Sequence, residues 1–210
     1  MVPARMSRWA AVAAIVGGLL WSVYSIFEML TPWGVASVYQ EELGYDRITN
    51  IPLFRAYTLP GGAAITLIAF GLLGLSGRWK LPMSQLGKLG VVLTYVASGL
   101  AILSTVGVLI LVAPVAIGGV MFGSLALGAA IFLLALDARR ARVVASWKVV
   151  LLALGVLGLL LLPLRPLVWA FEVLPAGVVA TVMAVFGLGW LVMGVQLWLD
   201  TDERFTASTS

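Results

Sequence analysis

The chain has 210 residues, of which 62% are hydrophobic and only 10% charged, with a formal net charge of +4 and a mean hydropathy of +1.10. A water-soluble domain is roughly half apolar and about a quarter charged, so this composition excludes one and calls for lipid as the solvent. The chain contains no histidine and no cysteine, which removes the usual haem and zinc ligands, disulfides, thiol catalysis and the commonest general base.

A backbone in hydrocarbon must satisfy its own hydrogen bonds, which leaves helices or closed barrels. The alternating ten-residue strands of a barrel are missing from the sequence, whereas several apolar runs could cross about 30 Å of hydrocarbon as helix. The expected fold is all-α: one polytopic membrane domain over 1–210, a bundle of about six transmembrane helices.

In chain order, the first span is expected at about 9–30, behind Arg5 and Arg8. Its apolar run is longer than the roughly 7–15 residues of a secretory signal and has no A-x-A exit, so it reads as an uncleaved helix. Gly17, Trp21, Tyr24 and Glu28 recur on it at helical spacing and share one face. A longer loop follows, TPWGVASVYQEELGYDRITNIPLFRAYT, with three of the five tyrosines. Its middle, Val35 to Leu43, predicts a short amphipathic helix on the leaflet surface. Val35, Val38, Tyr39 and Leu43 would face lipid or protein, and Gln40, Glu41 and Glu42 water.

The second span is expected at about 59–76, opening on Gly61 and Gly62, the third at 89–112 and the fourth at 115–136. No charge lies between Lys88 and Asp137, a stretch too long for one crossing, and Pro114 marks the break of a tight hairpin. The fifth span, 147–164, follows the basic DARRARVVASWK segment. The sixth is expected at 174–199 and leaves a polar, disordered tail over 200–210.

Lysine and arginine concentrate on the cytoplasmic side of membrane proteins. Six crossings place Arg5, Arg8, Arg78, Lys80, Lys88, Arg139, Arg140, Arg142, Lys148 and Arg204 on one side and only Arg47, Arg55 and Arg165 on the other. Both termini are therefore expected in the cytoplasm, with the longer loop between helices 1 and 2 outside. Trp9, Trp79, Trp147 and Trp198 fall at the inner interface and Trp33 and Trp169 at the outer one, as aromatic belts do. Anionic lipid is the default partner of such basic loops, so membrane lipids are expected as partners and nucleic acid is not. The tetrapeptide Phe27-Glu28-Met29-Leu30 echoes Phe171-Glu172-Val173-Leu174, but one closes an outgoing helix and the other opens an incoming one. They are not equivalent positions of an inverted repeat.

Ionisable groups at membrane depth are costly and become candidates for ligand binding or ion pairing. Glu28, near the outer end of the first helix, is the foremost. Arg55, placed just before the second helix, and Arg165, at the outer end of the fifth, are its natural partners, with Tyr24 one turn below. Glu172 precedes Pro175 at a helix start, where a carboxylate complements the helix dipole. Converging, these residues would hold a polar headgroup or anchor a partner; the plainer reading is a salt bridge that pins the outer loop. No catalytic or metal-ligating set is expected, and no cofactor.

Small residues carry a second signal. Gly119-x-x-x-Gly123, Ser124-x-x-x-Gly128, Gly61, Gly62, Gly90 and Gly99 permit close backbone approach, expected within the chain, with a homo-oligomer face as the second reading. Trp21, Tyr95 and Trp190 fall inside the membrane, so their polar hydrogens are expected to face the bundle or a cavity. Three function classes remain at this level. The first is a non-catalytic subunit, accessory or scaffold protein of a prokaryotic cytoplasmic membrane, acting with a protein partner. The second is a small carrier or binding protein for a small or lipophilic ligand, and the third an enzyme using Glu28, Glu172 or Asp46 as acid or base. An inter-helix cavity lined by Tyr24, Glu28 or Tyr95 would mark the carrier, and a filled core the subunit.

Overall fold

The computed structural model describes residues 4–30, 36–77, 84–140, 149–159 and 176–207. Helices take up 88% of them: α1 (Ala4–Leu30), α2 (Ile51–Ser76), α3 (Gln85–Leu109), α4 (Ala113–Arg140), α5, described over Val149–Leu159, and α6 (Ala176–Ala207). Over the described residues, α1, α2, α3, α4 and α6 are long and apolar enough to cross a membrane. Two strands, β1 (Ser37–Gln40) and β2 (Tyr45–Ile48), join α1 to α2.

Local chemistry accounts for where the helices start and stop. Asn50 caps α2, its side chain accepting from the Leu53 amide at 3.1 Å, and Pro52 occupies the first turn, where no amide hydrogen is needed. The helix thus begins eight residues before the expected 59, and Arg55 lies inside it rather than ahead of it. The α3–α4 turn comprises Ile110, Leu111 and Val112, with Leu111 in the left-handed region at φ 61°. The Val112 amide reaches back to the Gly107 carbonyl at 2.8 Å, the bond that closes a Schellman-type helix end. Pro114 sits in the first turn of α4, not in the break itself. The helical backbone of α6 continues to Ala207, through residues expected in a disordered tail.

The segment expected as a surface helix, Val35 to Leu43, is instead mostly a β-hairpin over its described part. Ser37 pairs with Ile48, Val38 with Arg47, Tyr39 with Asp46 and Gln40 with Tyr45. Gly44 adopts φ 67°, and both its amide and that of Leu43 donate to the Gln40 carbonyl. A glycine reaches this left-handed conformation without a steric penalty, which lets the chain reverse and form the hairpin. Side-chain spacing over 35–43 is compatible with a helix, and the glycine at position 44 is what admits the reversal instead.

The helices close a ring. α1 packs on α2, α2 on α3 and α3 on α4, and α6 returns to α1. Gly128 of α4 faces Gly158 of α5, and Gly189 of α6 faces Leu154 of α5. α2 also touches α4, and its Ile65, Ile68, Ala69 and Leu72 are fully buried at the centre. Small residues set the contacts, as expected: a Cβ on Gly119 would lie 2.7 Å from the Leu100 carbonyl oxygen, and one on Gly90 2.8 Å from Leu134. Gly99 departs from that expectation, because a Cβ there would meet nothing within 4 Å.

Tyr95 also departs from expectation, lying on the outside of the bundle and 62% exposed. The inward stripe of α3 consists of Gly87, Gly90, Thr94, Ala97, Ala101, Ser104, Gly107 and Val108. In lipid, helices gain by close backbone approach rather than by hiding apolar bulk, so the small side of α3 turns inward and its large side chains turn out. Buried hydroxyls are satisfied at short range. Ser25 and Thr94 donate to carbonyls four residues back at 2.7 and 2.8 Å, and Ser22 reaches both its own helix and the Ala184 carbonyl of α6.

One buried carboxylate ties two helix ends together. Asp137, 7% exposed near the end of α4, accepts from the amide of Ser84, the N-cap of α3, at 3.2 Å. Asp137→Ala is expected to lower the thermal midpoint in detergent, by a loss of about 1–3 kcal/mol for an orphaned buried amide. Asp137→Asn keeps an acceptor and should recover most of the loss. Equal midpoints for both variants and the parent would show that the contact contributes nothing.

Candidate functional site

The hairpin lies over the end of the bundle where α1 finishes, α2 begins and α3 turns into α4. Ala36, Phe54, Tyr57, Val108, Ala113 and Ala116 form a separate small core there, with Ile48 packed against it. The Thr49 and Asn50 amides both donate to the Ala36 carbonyl, which fastens the hairpin to the start of α2.

Of the sequence candidates, the structure brings Tyr24 and Arg55 to this end. Tyr24 is 3% exposed; its ring would lie 3.2 Å from a Cβ on Gly61 of α2, and it stands 5.5 Å, centroid to centroid, from Trp21. Arg55 donates from Nη2 to the Leu109 carbonyl at 3.1 Å. A guanidinium at the last carbonyls of α3 satisfies an acceptor the helix cannot and complements the negative end of its dipole. The side chain of Glu28, and all of Arg165 and Glu172, lie outside the described residues, and with them the expected charged cluster.

Sequence reasoning passed over Thr58 and Ser37. Both are buried, at 4% and 3% exposure. Their hydroxyls, together with Nε of Arg55 and the indole nitrogen of Trp21, have no hydrogen-bond partner. On α2, Arg55, Thr58 and Gly61 follow at three-residue spacing, so they neighbour one another along the helix. That spacing was legible in the sequence; the position of Ser37 was not, because it depends on how the hairpin folds back. All four groups can donate a hydrogen bond, and two of them, the indole and the guanidinium nitrogen, can do nothing else. Each suits an acceptor such as a carbonyl, an anionic oxygen or an ordered water, and Arg55 and Thr58, one turn apart on α2, are the pair placed to share one. These donors provide binding chemistry.

Comparison with protein-family models, with curated proteins and with solved structures finds no match to this chain. The apolar helical bundle points to a membrane protein. In such a protein an unpartnered buried donor costs about 1–3 kcal/mol, because the surroundings offer no water to replace the missing acceptor. Thr58→Val removes one of these groups at nearly constant shape. Without a bound guest, the variant is expected to match or exceed the parent's thermal midpoint in detergent. A clear fall would mean that the hydroxyl is occupied in the native protein.

Proposed function

We propose that this chain is a non-catalytic multi-pass protein of a prokaryotic cytoplasmic membrane, working as a subunit, accessory factor or scaffold beside a protein partner. The observation that carries this reading is the close packing at the centre of the described helices: Trp21 and Trp190 are each only 1% exposed, and the Tyr24 ring packs directly on Gly61. Of the residues expected to line a carrier's cavity, Tyr24, Glu28 or Tyr95, the first is packed on Gly61 and the third faces outward, while the side chain of Glu28 lies outside the described residues. Outward-facing Tyr95, Ile102, Leu103 and Leu109 on α3 leave much of that helix to lipid, to a partner or to a second copy. Nucleic acid has no place in this reading.

A second reading, a small binding protein for a small or lipophilic ligand, draws support from the buried unpartnered hydroxyl of Thr58 and Nε of Arg55 one turn apart near the start of α2, and from the unpartnered hydroxyl of Ser37 in the hairpin. In it, Tyr24 and Arg55, with Glu28, Arg165 and Glu172, frame the outer mouth.

Extraction of the tagged chain directly from native membranes into lipid discs, followed by mass spectrometry of everything retained, separates the two. A stoichiometric protein partner is the expected result. Recovery of the chain alone with one small molecule, lost on Thr58→Val or Arg55→Gln, would overturn the subunit reading in favour of the second.

A further inference from the structure

The hydroxyls of α3 are satisfied within the chain, with one exception. Thr94 donates to the Gly90 carbonyl, Ser98 to the Thr94 carbonyl, Ser104 to the Ala116 carbonyl and Thr105 to the Ala101 carbonyl. Tyr95, 62% exposed on the outside of the bundle, has no hydrogen-bond partner among the described residues. α3 is also the least covered of the five long helices, with 33% of its span buried against 44–56% for the others.

Depth decides what can satisfy it. Tyr95 lies two residues from Ala97, the midpoint of α3, or about 3 Å along the helix axis. With α3 centred in a hydrocarbon core of about 30 Å, that is about 12 Å below the core's edge. Neither water nor a headgroup meets the phenol there. Acyl chains offer no acceptor, and a hydroxyl left in hydrocarbon without one is costly. Around it, Val92, Gly99, Ile102, Val106 and Leu109 continue the outward face at alternating three- and four-residue steps, the spacing by which a helix seats against a parallel copy of itself. That spacing suits lipid equally; the hydroxyl is what selects protein.

We propose that two copies of this chain pair through the outward face of α3, with one Tyr95 hydroxyl donating to the other across a two-fold axis along the membrane normal. A phenol is both donor and acceptor, so its own symmetry mate can satisfy it. Copies inserted with the same topology lie parallel, and the two-fold axis places identical residues at identical depth. Gly99, one turn further along, keeps the seam free of bulk: a methyl there fits the ordinary separation of about 8–10 Å between helix axes, and an indole does not. The pairing needs no other protein and is independent of the subunit reading.

The chain has no cysteine, so single cysteines report the contact without background. Gly99→Cys, Ile102→Cys and Val106→Cys, each in the purified full chain diluted into liposomes, should form disulfide-linked dimers with a lipid-soluble oxidant. Leu188→Cys and Val192→Cys, on the comparably exposed outer face of α6, should not. Tyr95→Phe removes the hydroxyl alone and should lower the dimer association constant about threefold, the effect of one interhelical hydrogen bond in a membrane, read by energy transfer between labelled copies across a protein-to-lipid dilution series. Gly99→Trp should abolish the Val106→Cys cross-link with the thermal midpoint unchanged, because a Cβ at Gly99 meets nothing within 4 Å in its own chain. Should that midpoint fall, Tyr95→Phe carries the test alone. Equal cross-linking from α3 and α6, no dimer at any α3 position, or an association constant unchanged by Tyr95→Phe would overturn the pairing and leave the face to lipid or to a different protein.

Discussion

Gly18→Leu is expected to abolish a stable bundle, and Gly18→Ala to lower its thermal midpoint clearly. A Cβ at this position would lie 2.5 Å from the Gly187 carbonyl oxygen and 2.6 Å from the Leu191 amide. Both are backbone atoms of α6, so no side chain can rotate away and the helices themselves must separate. Overpacking a well-fitted contact typically costs about 1–3 kcal/mol, and here every contact along the α1–α6 seam shares the displacement. Gly194 repeats the pattern, 2.7 Å from the Ile15 amide and 2.9 Å from the Ala11 carbonyl oxygen. Gly99→Ala supplies the contrast. Its new methyl meets nothing, and replacing a mid-helix glycine by alanine gains about 0.5–1 kcal/mol. Thermal unfolding of the three variants in one detergent reads the comparison, and a Gly18→Ala protein as stable as the Gly99→Ala protein would rule out so close a crossing.

Trp190→Ala is expected to destabilise by an amount near the lower end of the 3–5 kcal/mol usual for emptying a buried tryptophan site. Lipid is as apolar as the cavity left behind, so lost packing rather than lost transfer from water supplies most of the effect. Trp190→Phe should be far milder. It keeps most of the ring and discards an indole N–H that has no acceptor, relieving a buried donor as it gives up some volume. Trp21 follows the same logic, its ring lying 5.5 Å from Tyr24 and 6.0 Å from Phe186. Equilibrium unfolding should rank alanine well below phenylalanine at both positions. If Trp21→Phe proves as damaging as Trp21→Ala, the indole N–H has an acceptor in the native protein.

How far the site could be read beforehand differs from residue to residue. Tyr24 and Arg55 were identifiable because both are polar groups beside long apolar runs, where their cost in lipid makes them conspicuous. Their roles were not identifiable. Arg55 turns toward the end of α3, fifty-four residues away in sequence, and only the folded arrangement of α2 and α3 supplies that carbonyl. Ser37 and Thr58 were overlooked because a hydroxyl is unremarkable in sequence. What sets these two apart is that each is buried without a partner, which is a property of the surrounding fold.

The sequence by itself determined the class of the protein and roughly where its five long apolar helices lie. Apolar length and the cost of an unsatisfied backbone in hydrocarbon leave the chain little other choice, and that argument needs no tertiary information. It also determined that small residues would form the helix contacts. Only the tertiary structure decided which small residues meet, that Gly18 faces Gly187 while Gly99 faces nothing, and that Tyr95 points outward. In water, bulk hydrophobicity would mark the inward face of a helix. In lipid both faces are apolar, so that signal vanishes, and orientation is fixed by backbone fit between helices distant in the chain. The hairpin between α1 and α2 shows the same division at smaller scale: its alternating and helical patterns overlap over a few residues, and the left-handed turn at Gly44, anchored by the Ala36 contact to α2, selects between them.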